Sequence, residues 1–289
     1  SNRIGYANFR GVLAVGAVDA RVRPATYTEP GANVLVAAPS GDFLGRHAGT
    51  PGILTSDLAG PQGYASGTDP ASADYATVFA GTSASTGMVS GVVALMLEAN
   101  PALGWRDVRW LLARTAAPAD LLPWAAEPAA ANANGFHPRV GFGRVDAAAA
   151  VSAAGSFGGL GPAQQCGSGV VQDGRVLPDN DAAGLALGWN AVSCPLGTVE
   201  FVEVWLQTEP PYSGDLRVEL ASPAARVSRL AAPHTCAGQR CTWLADGWTF
   251  GSVRHLGEPA AGNWILRIRD EREQDTGRIQ AWSVVLHGH

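Results

Sequence analysis

The period of the apolar residues changes near residue 155, and this switch constrains the fold more than any other feature of the chain. Before it, residues 12–18 and 33–38 are continuous apolar runs, the pattern of strands covered on both faces in a parallel sheet. Helical spacing follows. Residues 83–99 predict a long helix ending at Asn100-Pro101, and residues 105–115 a second with Val108, Leu111 and Leu112 on one face. The Ala-rich residues 141–154 predict a third. Strands and helices in this order predict an α/β layer structure. Beyond the flexible Gly155-Ser156-Phe157-Gly158-Gly159-Leu160-Gly161-Pro162 connection, the texture is of short alternating strands. Residues 199–206, 215–220, 264–268 and 281–286 alternate between Pro, Gly and Ser turns, which predicts an all-β sandwich or jelly roll. Two domains are expected, over residues 1–155 and 164–289.

The 289 residues leave each domain enough chain for its own core. Hydrophobic residues make up 46% and charged residues 16%, a globular balance. The net charge of −5 is spread thinly, which argues against a nucleic-acid partner. No apolar run reaches the length of about 18 that a membrane span needs, and no signal-peptide pattern stands at Ser1.

All 4 cysteines lie in the β-rich half. Cys236 and Cys241 flank a short Ala-Gly-Gln-Arg loop that a disulfide could close, which leaves Cys166 and Cys194 as the other pair. Metal binding is the alternative, but there is no Cys-x-x-Cys and histidine is sparse nearby. Two disulfides imply export, to the periplasm or the exterior.

Gly81-Thr82-Ser83-Ala84-Ser85 stands where a loop turns into the first long helix. A hydroxyl there sits among unpaired backbone N–H groups at the positive end of the helix dipole. An acyl-transfer nucleophile needs that setting, because the oxyanion it creates must be met by preorganised donors. A Gly/Ser-rich helix cap explains the same five residues.

The wider motif set separates the two. Val12-Leu13-Ala14-Val15-Gly16-Ala17-Val18-Asp19, Tyr27-Thr28-Glu29-Pro30-Gly31, Val34-Leu35-Val36-Ala37-Ala38-Pro39 and Gly81-Thr82-Ser83 occur in that order. Asn100-Pro101-Ala102-Leu103-Gly104-Trp105-Arg106-Asp107-Val108 and Val140-Gly141-Phe142-Gly143-Arg144-Val145-Asp146-Ala147 follow. Together they resemble the C-terminal half of a subtilisin-like (subtilase) catalytic domain, in its kexin-like, proprotein-convertase branch. Ser213-Gly214-Asp215-Leu216, Leu220-Ala221-Ser222-Pro223, Trp248-Thr249-Phe250, Gly262-Asn263-Trp264 and Ala281-Trp282-Ser283 resemble the P domain that follows it in that branch.

The resemblance implies a serine endopeptidase acting on proteins or peptides, with Ser83 as nucleophile of an Asp-His-Ser triad. The Ser83 backbone N–H would supply one oxyanion donor and an Asn side chain outside the chain the other. Family members place the Asp and His before the Ser, in Asp-[Ser/Thr]-Gly and His-Gly-Thr contexts. Here only His47 precedes Ser83, in Arg46-His47-Ala48-Gly49, and reads as a solvated loop residue. The single Asp-Thr-Gly, Asp275-Thr276-Gly277, reads as a hairpin turn. The base and its orienting acid are therefore expected from a segment outside this sequence, an associated N-terminal polypeptide. The rival reading is a non-catalytic binding or adhesion module that retains a subtilase remnant.

Calcium is implied by the same resemblance, with Glu29 matching a coordinating carboxylate. Asp179 and Asp181, in Asp179-Asn180-Asp181, are a second candidate site that an Asx turn explains equally well. Ile4 replaces the acidic residue that helps to hold a basic P1 side chain in the convertases. A hydrocarbon cannot pair with a buried guanidinium, so cleavage after basic residues is in doubt. Gly87 stands where the family places a Pro four residues after the nucleophile. His255 with Glu258 is expected to be structural, Trp189, Trp205, Trp248, Trp264 and Trp282 to be packing, and Arg106 and Asp107 to form a solvated face.

Overall fold

The computed structural model describes residues 1–42, 50–63, 65, 74–120, 135–209, 212–234, 243–273 and 277–289. His47, Cys236, Cys241 and Asp275 lie outside the described residues. Contacts group the chain into two compact units: Leu13–Pro30 with Val34–Gly159, and Ser1–Val12 with Gly31–Asn33 and Leu160–His289.

The first unit is α/β. Strands β1 (Ala14–Val18) and β2 (Val34–Pro39) pair in parallel, with Gly16 opposite Ala37 and Ala17 opposite Ala38. Both are built of small apolar residues, and the interior of β2 is fully buried, as the unbroken runs require. On the other side of β2, Phe142 N donates to Leu35 O (2.8 Å) and Val145 N to Ala37 O (2.8 Å). This is why residues 141–146 are not the start of a helix as the Ala-rich pattern suggested. Two of their amides are spent on β2 and a third, Arg144 N, on Ala117 O (2.8 Å), and Gly141 takes φ +61, a conformation no Ala-type helix position adopts. β3 (Ile53–Ser56) and β4 (Tyr75–Phe79) pair antiparallel.

Three long helices complete the unit. α1 is a single turn (Gly5–Asn8) of the other unit, so these are α2 (Thr82–Ala99), α3 (Trp105–Thr115) and α4 (Ala147–Gly155). α2 packs on β1, β2 and α4. Asn100 ends α2, and its Nδ2 donates to Ala154 O and Phe157 O (3.0 Å each), tying that end to the end of α4. α3 starts with Asp107 accepting from Gly104 N at 2.7 Å. Asp107 is buried, so it is a helix cap and not part of a solvated face. Asp146 caps α4 by accepting from Ala149 N at 3.0 Å.

The second unit is a sandwich of antiparallel strands. They are β5 (Gln164–Gly167), β6 (Val171–Gln172), β7 (Val176–Leu177), β8 (Leu185–Asn190), β9 (Val199–Glu209), β10 (Leu216–Ala221), β11 (Val227–Ala231), β12 (Trp248–Ser252), β13 (Asn263–Asp270) and β14 (Gly277–Gly288). One sheet has the order β11-β10-β13-β8; the other runs β12-β9-β14-β5, with β6 and β7 also on β14. Alternate residues of both sheets, among them Val204, Leu220, Phe250, Trp264 and Leu266, form one buried core. Trp264 and Trp282 are buried in it and Trp189 and Trp248 pack against it, which is the packing role expected of them. A Cys166–Cys194 disulfide, with Cα atoms 5.6 Å apart, joins β5 at the edge of one sheet to the turn after β8 at the edge of the other.

Residues 1–12 belong to this unit by contact. Asn2 Nδ2 donates to Gly251 O (2.6 Å), Gly251 N to Asn8 Oδ1 (2.7 Å), and Trp248 Nε1 to Asn2 O (2.9 Å), so the N-terminal segment lies along β12.

Candidate active site

Ser83 stands in the first turn of α2, just past the loop from β4. Gly81 is the N-cap, at φ +94 and ψ 166, a region open essentially to glycine alone. That turn swings the chain from strand to helix within one residue. Ser83 then occupies the second helical position, where its N–H has no intrahelical acceptor, and its side chain is exposed.

Neighbours on both sides are tied down. Two residues before Ser83, Gly81 N donates to Tyr27 Oη at 3.1 Å and Gly81 O accepts from Ser40 Oγ at 3.0 Å. Tyr27 Oη lies 2.6 Å from both Ser40 Oγ and Gly41 O, its possible acceptors. Two residues after Ser83, the fully buried Ser85 donates to Ala38 O at 2.8 Å. An exposed hydroxyl thus sits between two anchored backbone positions, beside N–H groups at a helix N-terminus. That arrangement can present a nucleophile and stabilise an oxyanion.

Sequence reasoning singled out Ser83 and overlooked Tyr27, Ser40 and Ser85. Tyr27 lies within a quoted motif, but nothing in its spacing shows that its hydroxyl reaches a glycine 54 positions away.

Calcium candidates are less developed. Glu29 is exposed, next to Thr28, whose carbonyl accepts from Arg139. Asp181 Oδ1 accepts from Ala183 N at 2.9 Å in an Asx turn, and Asn180, between Asp179 and Asp181, takes φ +46. Among the described residues no group of three or more His, Cys, Asp or Glu could hold a metal ion. The described residues by themselves therefore do not make up the carboxylate-rich shell that Ca²⁺ takes.

His255 and Glu258 are buried in the sandwich, 3.1 Å apart (Nδ1 to Oε1), with Arg226 3.6 Å from the same carboxylate. Burial pushes the His255 imidazole below its ordinary pKa, so it stays neutral. Burial also opposes ionisation of Glu258, but the His255 hydrogen bond and the Arg226 charge outweigh it and hold the carboxyl below the usual range. The pair braces the sandwich interior against Trp264, whose ring meets His255 edge-on at 5.0 Å. Ile4 is 52% exposed and holds no charge.

Residues 5–143 match the subtilase family and residues 199–286 the proprotein convertase P-domain. The chain belongs to the subtilase family, in its kexin-like branch with a P domain. It is 34% identical over 205 residues to a PC3-like endoprotease (variant B) of Hydra vulgaris, covering 68% of this chain and 28% of that one. A calcium-dependent protease of Trichormus variabilis is 30% identical over 291 residues, covering 98% and 41% respectively. The crystal structure of a serine protease of Aeromonas sobria superposes with a TM-score of 0.77 at 26% identity, over 96% of this subtilase chain and 57% of its own. The subtilase chain thus spans less than two thirds of each of these relatives. Among its described residues no helix is long and apolar enough to cross a membrane.

Proposed function

We propose that this chain is the nucleophile-bearing part of a kexin-type serine endopeptidase, with Ser83 as the acyl-forming residue. The observation that carries the reading is an exposed Ser83 at the second position of α2, just past a Gly-only turn, in a chain of the subtilase family. Ser83 Oγ attacks the scissile carbonyl as a His takes its proton, and the Ser83 N–H and an Asn side chain meet the oxyanion. The C–N bond then breaks, the amine leaves with that proton, and water hydrolyses the acyl-serine.

We assign the His, its Asp and the Asn to a preceding segment, on a separate associated polypeptide. α2 supports this. It carries a single charged residue, Glu98, and a helix so apolar belongs inside a fold. Yet Ser83, Gly87, Gly91 and Leu95, spaced every four residues along it, are all exposed. A Cβ on Gly87 or Gly91 would meet nothing within 4 Å, so another element can pack there closely. The family matches over 5–143 and 199–286 support a peptidase part over residues 1–155 and a P domain over 164–289 whose role is to stabilise it. The Cys166–Cys194 bond supports a secreted or periplasmic protein. A role for Ca²⁺ is suggested by the calcium-dependent relative; a site at Glu29 needs oxygens from beyond the described residues, and no step above depends on it.

A fluorophosphonate probe tests the reading. Ser83 should be labelled in the native assembly and not in a Ser83→Ala variant. No labelling in any native preparation would favour the binding module.

A further inference from the structure

Three groups around the nucleophile loop form a closed ring of hydrogen bonds. Tyr27 Oη lies 2.6 Å from Ser40 Oγ, Ser40 Oγ donates to Gly81 O at 3.0 Å, and Gly81 N donates back to Tyr27 Oη at 3.1 Å. Each hydroxyl has one proton and free lone pairs, so a single direction satisfies all three bonds: Tyr27 to Ser40, Ser40 to the Gly81 carbonyl, the Gly81 amide to Tyr27. Bonds arranged head to tail polarise one another. Gly41 O, also 2.6 Å from Tyr27 Oη, competes with Ser40 Oγ for that one proton, while the two bonds to Gly81 stand with either acceptor.

The ring grips both backbone polar atoms of the glycine that turns the chain into α2, at a φ/ψ open essentially to glycine alone. Gly81 sits at φ +94, and a Cβ added there would meet nothing nearer than 3.8 Å, so its backbone conformation and not a close neighbour is what calls for glycine. A peptide in this sparsely populated conformation persists only when its surroundings fix it. Tyr27 and Ser40 do so from two different parts of the α/β unit, the segment after β1 and the residue just past β2. Ser85, bonded to Ala38 O at 2.8 Å, fixes the far side of Ser83. Rotation of the Gly81 peptide would carry Ser83 Oγ and the Ser83 N–H with it, and displacement of about 1 Å costs on the order of a hundredfold in rate.

We propose that Tyr27 and Ser40 are positioning residues for Ser83, acting through Gly81 to hold the nucleophile and its oxyanion N–H in reactive geometry. This rests on the reading of Ser83 as nucleophile. In this role both hydroxyls are spent on Gly81 and on each other and not on substrate, so the two act on reaction rate and leave substrate affinity alone.

The test uses Tyr27→Phe, Ser40→Ala and the double variant in the native assembly, with a fluorophosphonate probe and amide hydrogen exchange. Tyr27 is 40% exposed, and Tyr27→Phe removes a hydroxyl without opening a cavity. Each single variant should label Ser83 about tenfold more slowly than wild type, lower kcat on a peptide substrate by a similar factor and leave KM unchanged. The double variant should be little worse than either single one, because either change opens the ring. Exchange should rise in residues 80–84 and stay unchanged in β9 and β14. Wild-type labelling with unaltered rates in both single variants would overturn the positioning role and leave the nucleophile standing. Absence of labelling at Ser83 in wild type would overturn the nucleophile and the positioning role together.

Discussion

Opening the Cys166–Cys194 bond should destabilise the sandwich by an amount the fold makes calculable. The cysteines are 28 residues apart in sequence, and they staple edge strands of the two sheets. Closing a loop of that length removes about 12 cal/mol/K of entropy from the unfolded chain, or about 3.6 kcal/mol at 25 °C. With a urea m-value of about 2 kcal/mol/M, the midpoint should fall by about 1.8 M in Cys166→Ala/Cys194→Ala. Tryptophan fluorescence reports it, since Trp264 and Trp282 are buried in this core. Each single variant should lose nearly as much as the double, because either opens the loop. A midpoint shift under about 0.3 M at unchanged m-value would refute the reasoning: the edges would then be held by their ladders and core alone.

Acid should weaken the sandwich through His255. Its folded-state pKa lies below the unfolded value, so the unfolded chain binds the extra proton and stability falls as pH drops below about 6.5. Glu258, also lowered, adds a loss at still lower pH, below the ordinary carboxylate value. Thermal unfolding between pH 7.5 and 5 should show the fall, and His255→Gln should flatten that limb. Gly141→Ala should cost about 3 kcal/mol or more, because its Cβ would lie 2.1 Å from Leu35 O at φ +61. Chemical denaturation measures it, and a loss within 0.5 kcal/mol (about the scatter of neutral surface changes) would contradict the assignment of that glycine.

Much of the architecture was legible because it rests on local patterns. The apolar runs of β1 and β2, the helical spacing of α2 and α3 and the alternation of β13 (Asn263–Asp270) each record which faces are buried. The Ala-rich segment before α4 misled because alanine favours a helix only where backbone amides are free to form one. Phe142 and Val145 instead donate to β2 and Arg144 to Ala117, partners remote in sequence. Asp107 misled in the same way: its charge suggested solvent, while its place three residues after Gly104 made it a cap.

At the candidate site the division is similar. Sequence alone determined that a small hydroxyl residue enters an apolar helix after a glycine, since those are properties of five adjacent residues. Only the tertiary structure decided what holds that glycine. Tyr27 and Ser40 lie 54 and 41 positions from Gly81, and a hydrogen bond needs its partners within about 3 Å whatever their separation along the chain.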